Sequence, residues 1–271
     1  MIGSIIGDIV GSVFEFCNVS SKKFSFFDDN KNFTDDTILT VATADWILHG
    51  GNVGKYYYSY AVAHPHPMGE FGQGFLTWVS NSSLSALAPA YNSCGNGSAM
   101  RVGPVGWVSD TLSQLMDMAE ETALCTHNHA EGVKGAKAVV MAIYLARKGY
   151  ERSDIKTEIE RMFGYDLNAT VEELHKTYTQ TFGLDIWTCQ GSVPQAILCA
   201  LEAIDFEDAI RNAVYIGGDS DTIACITGSI AEALYTIPKT MYNEAMAYLP
   251  DEFRSIVDEF EKTFQIGNFP L

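Results

Sequence analysis

Apolar residues recur at three- and four-residue spacing through most of the chain, a rhythm that predicts helices. The most complete stripe is Ile2, Ile5, Ile6, Ile9, Val10, Val13 and Phe14. On another face of that segment Gly3, Gly7 and Gly11 recur every fourth residue. Glycine costs a helix about 1 kcal/mol relative to alanine, so the strip predicts the close approach of another backbone or of a ligand. A second helix carries Ile38, Val41, Ala42 and Ile47 and stops at Gly50-Gly51. A third has Val133, Ala136, Val140, Ile143 and Tyr144 on its apolar side, and a fourth begins near Ser192 and Pro194 and turns Ile197, Leu198, Leu201 and Ile204 inward. Further stripes are Phe206, Ala209, Ile210, Ala213 and Val214, then Ile223, Ile226, Ile230, Ala233 and Leu234, and last Phe253, Ile256, Val257 and Phe260. Residues 150–187 predict two charged, peripheral amphipathic helices, and residues 52–107 predict loops. No run of alternating strands is present, so the expected class is all-α, a helical bundle forming one domain over residues 1–271.

Polar residues interrupt this pattern at two helix starts. Gly217-Gly218-Asp219-Ser220-Asp221-Thr222 stands between two of the stripes, with Gly217 where a helix C-cap calls for a left-handed residue. Thr34-Asp35-Asp36-Thr37 stands just before the second helix. A single carboxylate suffices to cap a helix, worth about 0.5–2 kcal/mol. Two oxygen-rich starts brought together make a site for a hard cation such as Mg²⁺ or Mn²⁺, because clustered carboxylates repel unless cations lie between them. In the first helix Asp8 and Glu15 share a face with Gly11. Asp8 reads as a hydrogen-bonded structural carboxylate, and Glu15, at the end of the glycine strip, as a functional one. The stretch from Ser93 to Arg101 contains Gly95-Asn96-Gly97, whose spacing allows backbone N–H groups to approach phosphate, although an ordinary turn reads the same way. His127 and His129 precede the third helix without a matched Cys or His cluster, which favours hydrogen bonding or ligand lining over zinc.

Charge narrows the partners. Lys and Arg total 17 against 34 Asp and Glu, a net charge of -17 in 271 residues. That field repels nucleic acid and anionic membranes, and it makes a metal more attractive as the means of binding any phosphorylated ligand. No apolar run reaches membrane-spanning length. The first fifteen residues lack a basic segment and contain Asp8, so a cytoplasmic location is expected. Cys17, Cys94, Cys125, Cys189, Cys199 and Cys225 have no paired spacing and read as free thiols, most of them buried.

Taken together, Gly7-Asp8 with Glu15, Thr34-Asp35-Asp36-Thr37, Gly95-Asn96-Gly97 through Met100-Arg101, Thr126-His127 and Gly217-Gly218-Asp219-Ser220-Asp221-Thr222 resemble the motifs of the ADP-ribosylglycohydrolase family, in that family's order and over most of the chain. The resemblance implies two Mg²⁺ or Mn²⁺ ions in a cleft of an all-α bundle, with Thr34, Asp35, Asp36, Asp219, Asp221 and Thr222 as ligands. It implies that Glu15 is a metal-proximal acid that helps move the proton, with Asp35 or Asp36 as the other carboxylates available for catalysis. It implies a diphosphate cradle at Ser93, Gly95, Asn96, Gly97, Ser98 and Met100, and His127 beside the proximal ribose. Tyr91, Phe75 and Trp78 are the candidates for stacking on adenine. The implied reaction is hydrolysis of the C1″ bond between ADP-ribose and a protein side chain; a free ADP-ribose derivative or nucleoside diphosphate sugar as substrate, or ADP-ribose binding without turnover, are the alternatives. Arginine-type relatives carry an acid before the Gly-Asn-Gly, where this chain has Ser93-Cys94, so the linkage stays open. So does the oligomeric state, with which a monomer is compatible.

Overall fold

The computed structural model describes residues 1–266, and their regular structure is helical. The chain begins with α1 (Ile2–Gly11), α2 (Asp35–His49), α3 (Val53–Ala63), α4 (Gln73–Ser80) and the single turn α5 (Gly97–Met100). It continues through α6 (Leu112–Leu124), α7 (Ala130–Arg147), α8 (Arg152–Phe163), α9 (Val171–Phe182) and α10 (Cys189–Glu202). It ends with α11 (Phe206–Ile216), α12 (Ser220–Leu234), α13 (Lys239–Tyr248) and α14 (Asp251–Phe264). Among the described residues there are isolated β-bridges but no strand, in keeping with the all-α expectation.

The core of the arrangement is α12, which packs against α1, α7, α10 and α11. Its contact with α1 is backbone on backbone. A Cβ on Gly3 would stand 2.3 Å from the Gly228 carbonyl oxygen, one on Gly7 2.0 Å from that of Ala224, and one on Gly11 2.5 Å from that of Ser220. The glycine strip therefore answers to another helix and not to a ligand. Burial of Ile2, Ile5, Ile6, Ile9 and Val10 accompanies it, at about 1.5–3 kcal/mol for each fully buried aliphatic side chain. The seam sets the last turn of α1 beside the first turn of α12, where Asp219 and Asp221 stand.

The apolar stripe of α1 is longer than the helix. After the Ser12 N–H bonds the Asp8 carbonyl (2.9 Å), a tighter turn from Gly11 to Phe14 (2.7 Å) takes over. Phe14 leaves the helix to pack on Phe24, with ring centroids 5.1 Å apart. The region expected to be loops also contains α3, capped where the Asn52 side chain accepts from the Lys55 N–H (3.3 Å) and buried along Val53, Tyr57 and Ala61. Helix α10 starts earlier than Ser192, because the Thr188 hydroxyl caps it by accepting from the Gly191 N–H (3.2 Å), and Pro194 lies inside it. Helices α8 and α9 are the two charged helices of residues 150–187, the second opened by a reciprocal Thr170–Glu173 capping box. All six cysteines are free; Cys189, Cys199 and Cys225 are buried, Cys94 and Cys125 half-buried and Cys17 exposed.

Candidate active site

The ends of α1, α2 and α12 bring the two acidic helix starts together. Asp8, on α1, ties down the start of α2. Its Oδ2 accepts from the backbone N–H groups of Thr34 (2.9 Å) and Thr37 (3.0 Å), and its Oδ1 accepts from the Thr34 hydroxyl (2.7 Å). The Thr34 Oγ1 in turn accepts from the Asp36 N–H (3.2 Å). Across the gap the Thr222 hydroxyl donates to Asp36 Oδ1 (3.3 Å), while Asp36 Oδ2 is buried with no partner among the described residues. Asp221 Oδ1 accepts from the Thr222 N–H (3.0 Å). Asp219 Oδ2 accepts from the Asn96 side-chain amide (2.6 Å). Carboxylate oxygens of Glu15, Asp219 and Asp221 lie within 4.8 Å of one another. Gly69, at φ 78°, closes over them: a Cβ there would stand 3.6 Å from Glu15 Oε2 and 3.9 Å from Asp221 Oδ2.

Burial acts on every one of these acids, and repulsion from neighbouring carboxylates adds to it at all of them but Asp221. Desolvation first, then the Asp221 charge, pushes Asp8 and Glu15 up to about 7, with a hydrogen bond from Trp187 opposing the shift at Glu15. The same two causes raise Asp35 and Asp219 well above the ordinary carboxylate range, and burial followed by the Asp8 charge raises Asp36. Burial raises Asp221 as well. Among the described residues none of the six is in an ion pair. A buried, unpaired cluster of this kind is neutralised either by protons or by cations. The donor set is oxygen throughout, and the orphaned Asp36 Oδ2 gives it an unused lone-pair acceptor, so the residues fit a hard divalent ion such as Mg²⁺ or Mn²⁺.

The raised carboxyls fix the sign of a pH effect. Ordinary carboxyls titrate near pH 4, so above that range the folded protein binds protons that the unfolded chain has released. Stability then falls as pH rises, through about 7 for Asp8 and Glu15 and further for Asp35, Asp36 and Asp219. Buried His127, held well below its usual range, acts in the opposite direction, but only in acid. Melting in EDTA is therefore expected to shift upward between about pH 8 and about pH 6.5. Saturating Mg²⁺ should flatten the slope. A slope of zero or of opposite sign in EDTA would contradict the assignment.

Beside the acids lies a cavity of about 160 Å³ lined by Asp35, Phe75, Tyr91, Ser93, Gly95, Gly97, Met100, Arg101 and His127, among others. The glycine-rich stretch reaches it only in part. The Gly95 N–H is used by the Ser93 hydroxyl (3.0 Å) and that of Asn96 by the Trp187 carbonyl (3.0 Å). The N–H groups of Gly97 and Ser98 make no hydrogen bond among the described residues. The Ser98 side chain turns away, donating to the Gly132 carbonyl (2.7 Å). Asn96 is a buried brace rather than cavity wall, bonding Asp219 and the Ser192 hydroxyl (2.9 Å). Of the aromatic candidates, Phe75 and Tyr91 line the cavity, whereas Trp78 is 2% exposed and donates to the Ala88 carbonyl (2.9 Å). His129 caps α7 by accepting from the Glu131 N–H (3.1 Å), which leaves His127 alone on the cavity wall. Two residues with no site role in the sequence reading support that wall, Arg101 as part of the lining and Thr126 from behind it. Arg101 is fully buried over the Tyr57 ring, its guanidinium carbon 4.0 Å from the centroid, and Thr126 is buried between Arg101 and His127.

Comparison with known proteins agrees with this geometry. The ADP-ribosylglycohydrolase family model matches residues 1–267. ADP-ribosylhydrolase ARH3 of Mus musculus is 24% identical over 97% of this chain and 87% of its own length. ADP-ribosylarginine hydrolase Tri1 of Pseudomonas putida is 23% identical over 88% of this chain and 70% of its own. A solved structure described as an ADP-ribosylglycohydrolase-related protein complex superposes with a TM-score of 0.69 at 19% identity, covering 97% of this chain and 95% of that one, and so shares the fold. With a match that spans the described residues, this chain belongs to the ADP-ribosylglycohydrolase family and is a hydrolase of the ADP-ribosyl class.

Proposed function

We propose that the protein is a metal-dependent hydrolase that removes ADP-ribose from a modified protein side chain by cleaving the C1″ glycosidic bond. The observation that carries this reading is the set of buried and half-buried carboxylates without cationic partners, beside a cavity onto which the unused Gly97 backbone N–H opens. Thr34, Asp35, Asp36, Asp219, Asp221 and Thr222 would hold two Mg²⁺ or Mn²⁺ ions. Bound there, such ions supply Lewis acidity toward a water and the vicinal hydroxyls of a ribose.

The chain's own groups have separable tasks. Glu15, with its carboxyl raised to about 7, can hold or release a proton near neutral pH, the condition for general acid–base work. Asp8 and Asn96 position the acids without facing the cavity: one orders the Thr34 to Thr37 turn, the other fixes Asp219. The Gly97 N–H group, on the cavity wall, is available to a phosphate oxygen, and Phe75 and Tyr91 on the same wall offer ring surface to a base.

The deciding assay is release of ADP-ribose from matched arginine-linked and serine-linked peptides in Mg²⁺, Mn²⁺ or EDTA. Cleavage that EDTA abolishes is expected, and the preferred peptide names the linkage. Metal binding with no cleavage of either peptide would overturn the protein-substrate reading.

A further inference from the structure

We propose that Thr126, itself fixed by Arg101, holds His127 in the tautomer that carries its proton on Nε2, making this ring a hydrogen-bond donor to an oxygen of the bound ligand. The protons along one chain of contacts can be placed one by one. Arg101 Nη2 has two hydrogens, given to the Thr122 carbonyl (2.9 Å) and to Thr126 Oγ1 (2.8 Å). A guanidinium only donates, so at that contact Thr126 accepts. Its own hydroxyl proton must go elsewhere, and the strong acceptor in reach is His127 Nδ1, 2.8 Å away. The Cys125 thiol beside it is a weak acceptor by comparison. If Nδ1 carried the proton instead, Thr126 Oγ1 would face two donors, and its own hydrogen would be stranded in a buried place. Nδ1 is therefore the acceptor and Nε2 carries the hydrogen.

Nε2 has no hydrogen-bond partner among the described residues and faces the cavity wall of Gly95 and Gly97. A Cβ on Gly97 would stand 3.0 Å from it, so the absent side chain keeps this nitrogen open to a ligand. Burial and the Arg101 charge both disfavour a second proton on the ring. The site consequently offers one N–H and no lone pair at this point. It takes a ligand oxygen there and rejects an amine or amide N–H. If the proposed function holds, on which this last step rests, the oxygen is one of the ribose or diphosphate oxygens of an ADP-ribosyl group. Thr126 and Arg101 are positioning residues, since both act through His127.

The test is the imidazole ¹⁵N spectrum of protein labelled at histidine, with His127→Gln used to assign the signal among the six histidines. The expected wild-type result is an unprotonated Nδ1 and a protonated Nε2. Thr126→Val should turn this into a mixture of tautomers, and Thr126→Ser, which keeps the hydroxyl, should preserve it. Binding of ADP-ribose by calorimetry should weaken about 5–10-fold in Thr126→Val and recover in Thr126→Ser, the size of one neutral hydrogen bond. A protonated Nδ1 in the wild type overturns the proposal by itself, whether or not the valine variant folds, and so does an unchanged tautomer in a folded Thr126→Val. The two readings separate cleanly: the expected spectra with no ADP-ribose binding to the wild type would sink the ADP-ribosyl reading and leave the tautomer in place.

Discussion

Asp36→Ala is expected to abolish hydrolysis of ADP-ribosyl substrates while raising the melting temperature of the metal-free protein. The two effects share one cause. Asp36 is 2% exposed, its Oδ2 has no partner among the described residues, and the nearby charges of Asp8, Asp221, Asp35 and Asp219 all oppose its ionisation. A buried polar atom left unsatisfied costs about 1–3 kcal/mol, so without a cation the carboxylate is a burden, and its removal relieves the fold by an amount of that order. In the metal site proposed above the same oxygen would be a ligand. Loss even of the outer partners of a bound metal lowers affinity or activity about 10–100-fold, and loss of a ligand should cost at least about 100-fold. The check is a pair of measurements on one variant: turnover at saturating Mg²⁺, and the shift of melting temperature between EDTA and Mg²⁺. Wild-type protein should show a large shift and the variant almost none. Turnover near wild type in Asp36→Ala would remove this residue from the metal site.

Gly7→Ala should be among the most destabilising single-methyl changes in the molecule. The added Cβ would stand 2.0 Å from the Ala224 carbonyl oxygen and 2.8 Å from the Cys225 nitrogen, and neither is a flexible side chain able to swing away. The two helices must separate. Overpacking a well-filled core costs about 1–3 kcal/mol where side chains can adjust, so a clash with backbone should exceed about 3 kcal/mol. Alanine is also the better helix former, which makes the sign of the effect a direct test of the seam. Denaturant midpoints measure it, with the m-value showing whether the folded state keeps its extent. A neutral or stabilising Gly7→Ala would mean that α1 and α12 do not meet as described. Since α1 leads to Glu15 and α12 begins beside Asp219, the variant should also respond more weakly to Mg²⁺.

What could be read from the sequence follows a physical division. The acidic starts were legible because a run such as Thr34-Asp35-Asp36-Thr37 or Asp219-Ser220-Asp221-Thr222 places its oxygens at one helix terminus whatever the rest of the chain does. The glycine strip announced a close neighbour through its own helical cost, though not which neighbour. Helix α3 escaped notice because Tyr56, Tyr58 and Tyr60 surround the buried Val53, Tyr57 and Ala61 and hide their period. Asn96 was legible as part of a glycine-rich loop and illegible as a brace, since its partner Asp219 lies 123 positions away. Arg101 and Thr126 stood within the motifs Met100-Arg101 and Thr126-His127, but nothing local showed what either side chain does. A fully buried guanidinium makes sense only once Tyr57, Thr122 and Thr126 are brought around it, and that is a property of the tertiary structure.

The seam between α1 and α12 also has a consequence for the order of events in the cell. Gly218 hydrogen-bonds the Asn18 side chain across 200 positions of sequence, and Ser220 reaches the Phe14 carbonyl across 206. A chain emerging from the ribosome thus exposes the isoleucine face of α1 long before the helix that covers it has been made. Contacts of such separation carry a large loop-closure cost and form late. During that interval the nascent chain offers a sticky apolar surface and lacks two of the six clustered carboxylates, Asp219 and Asp221. Chaperone occupancy of the first helix should accordingly persist until α12 is out, and the divalent-ion binding proposed above should arrive in a single late step.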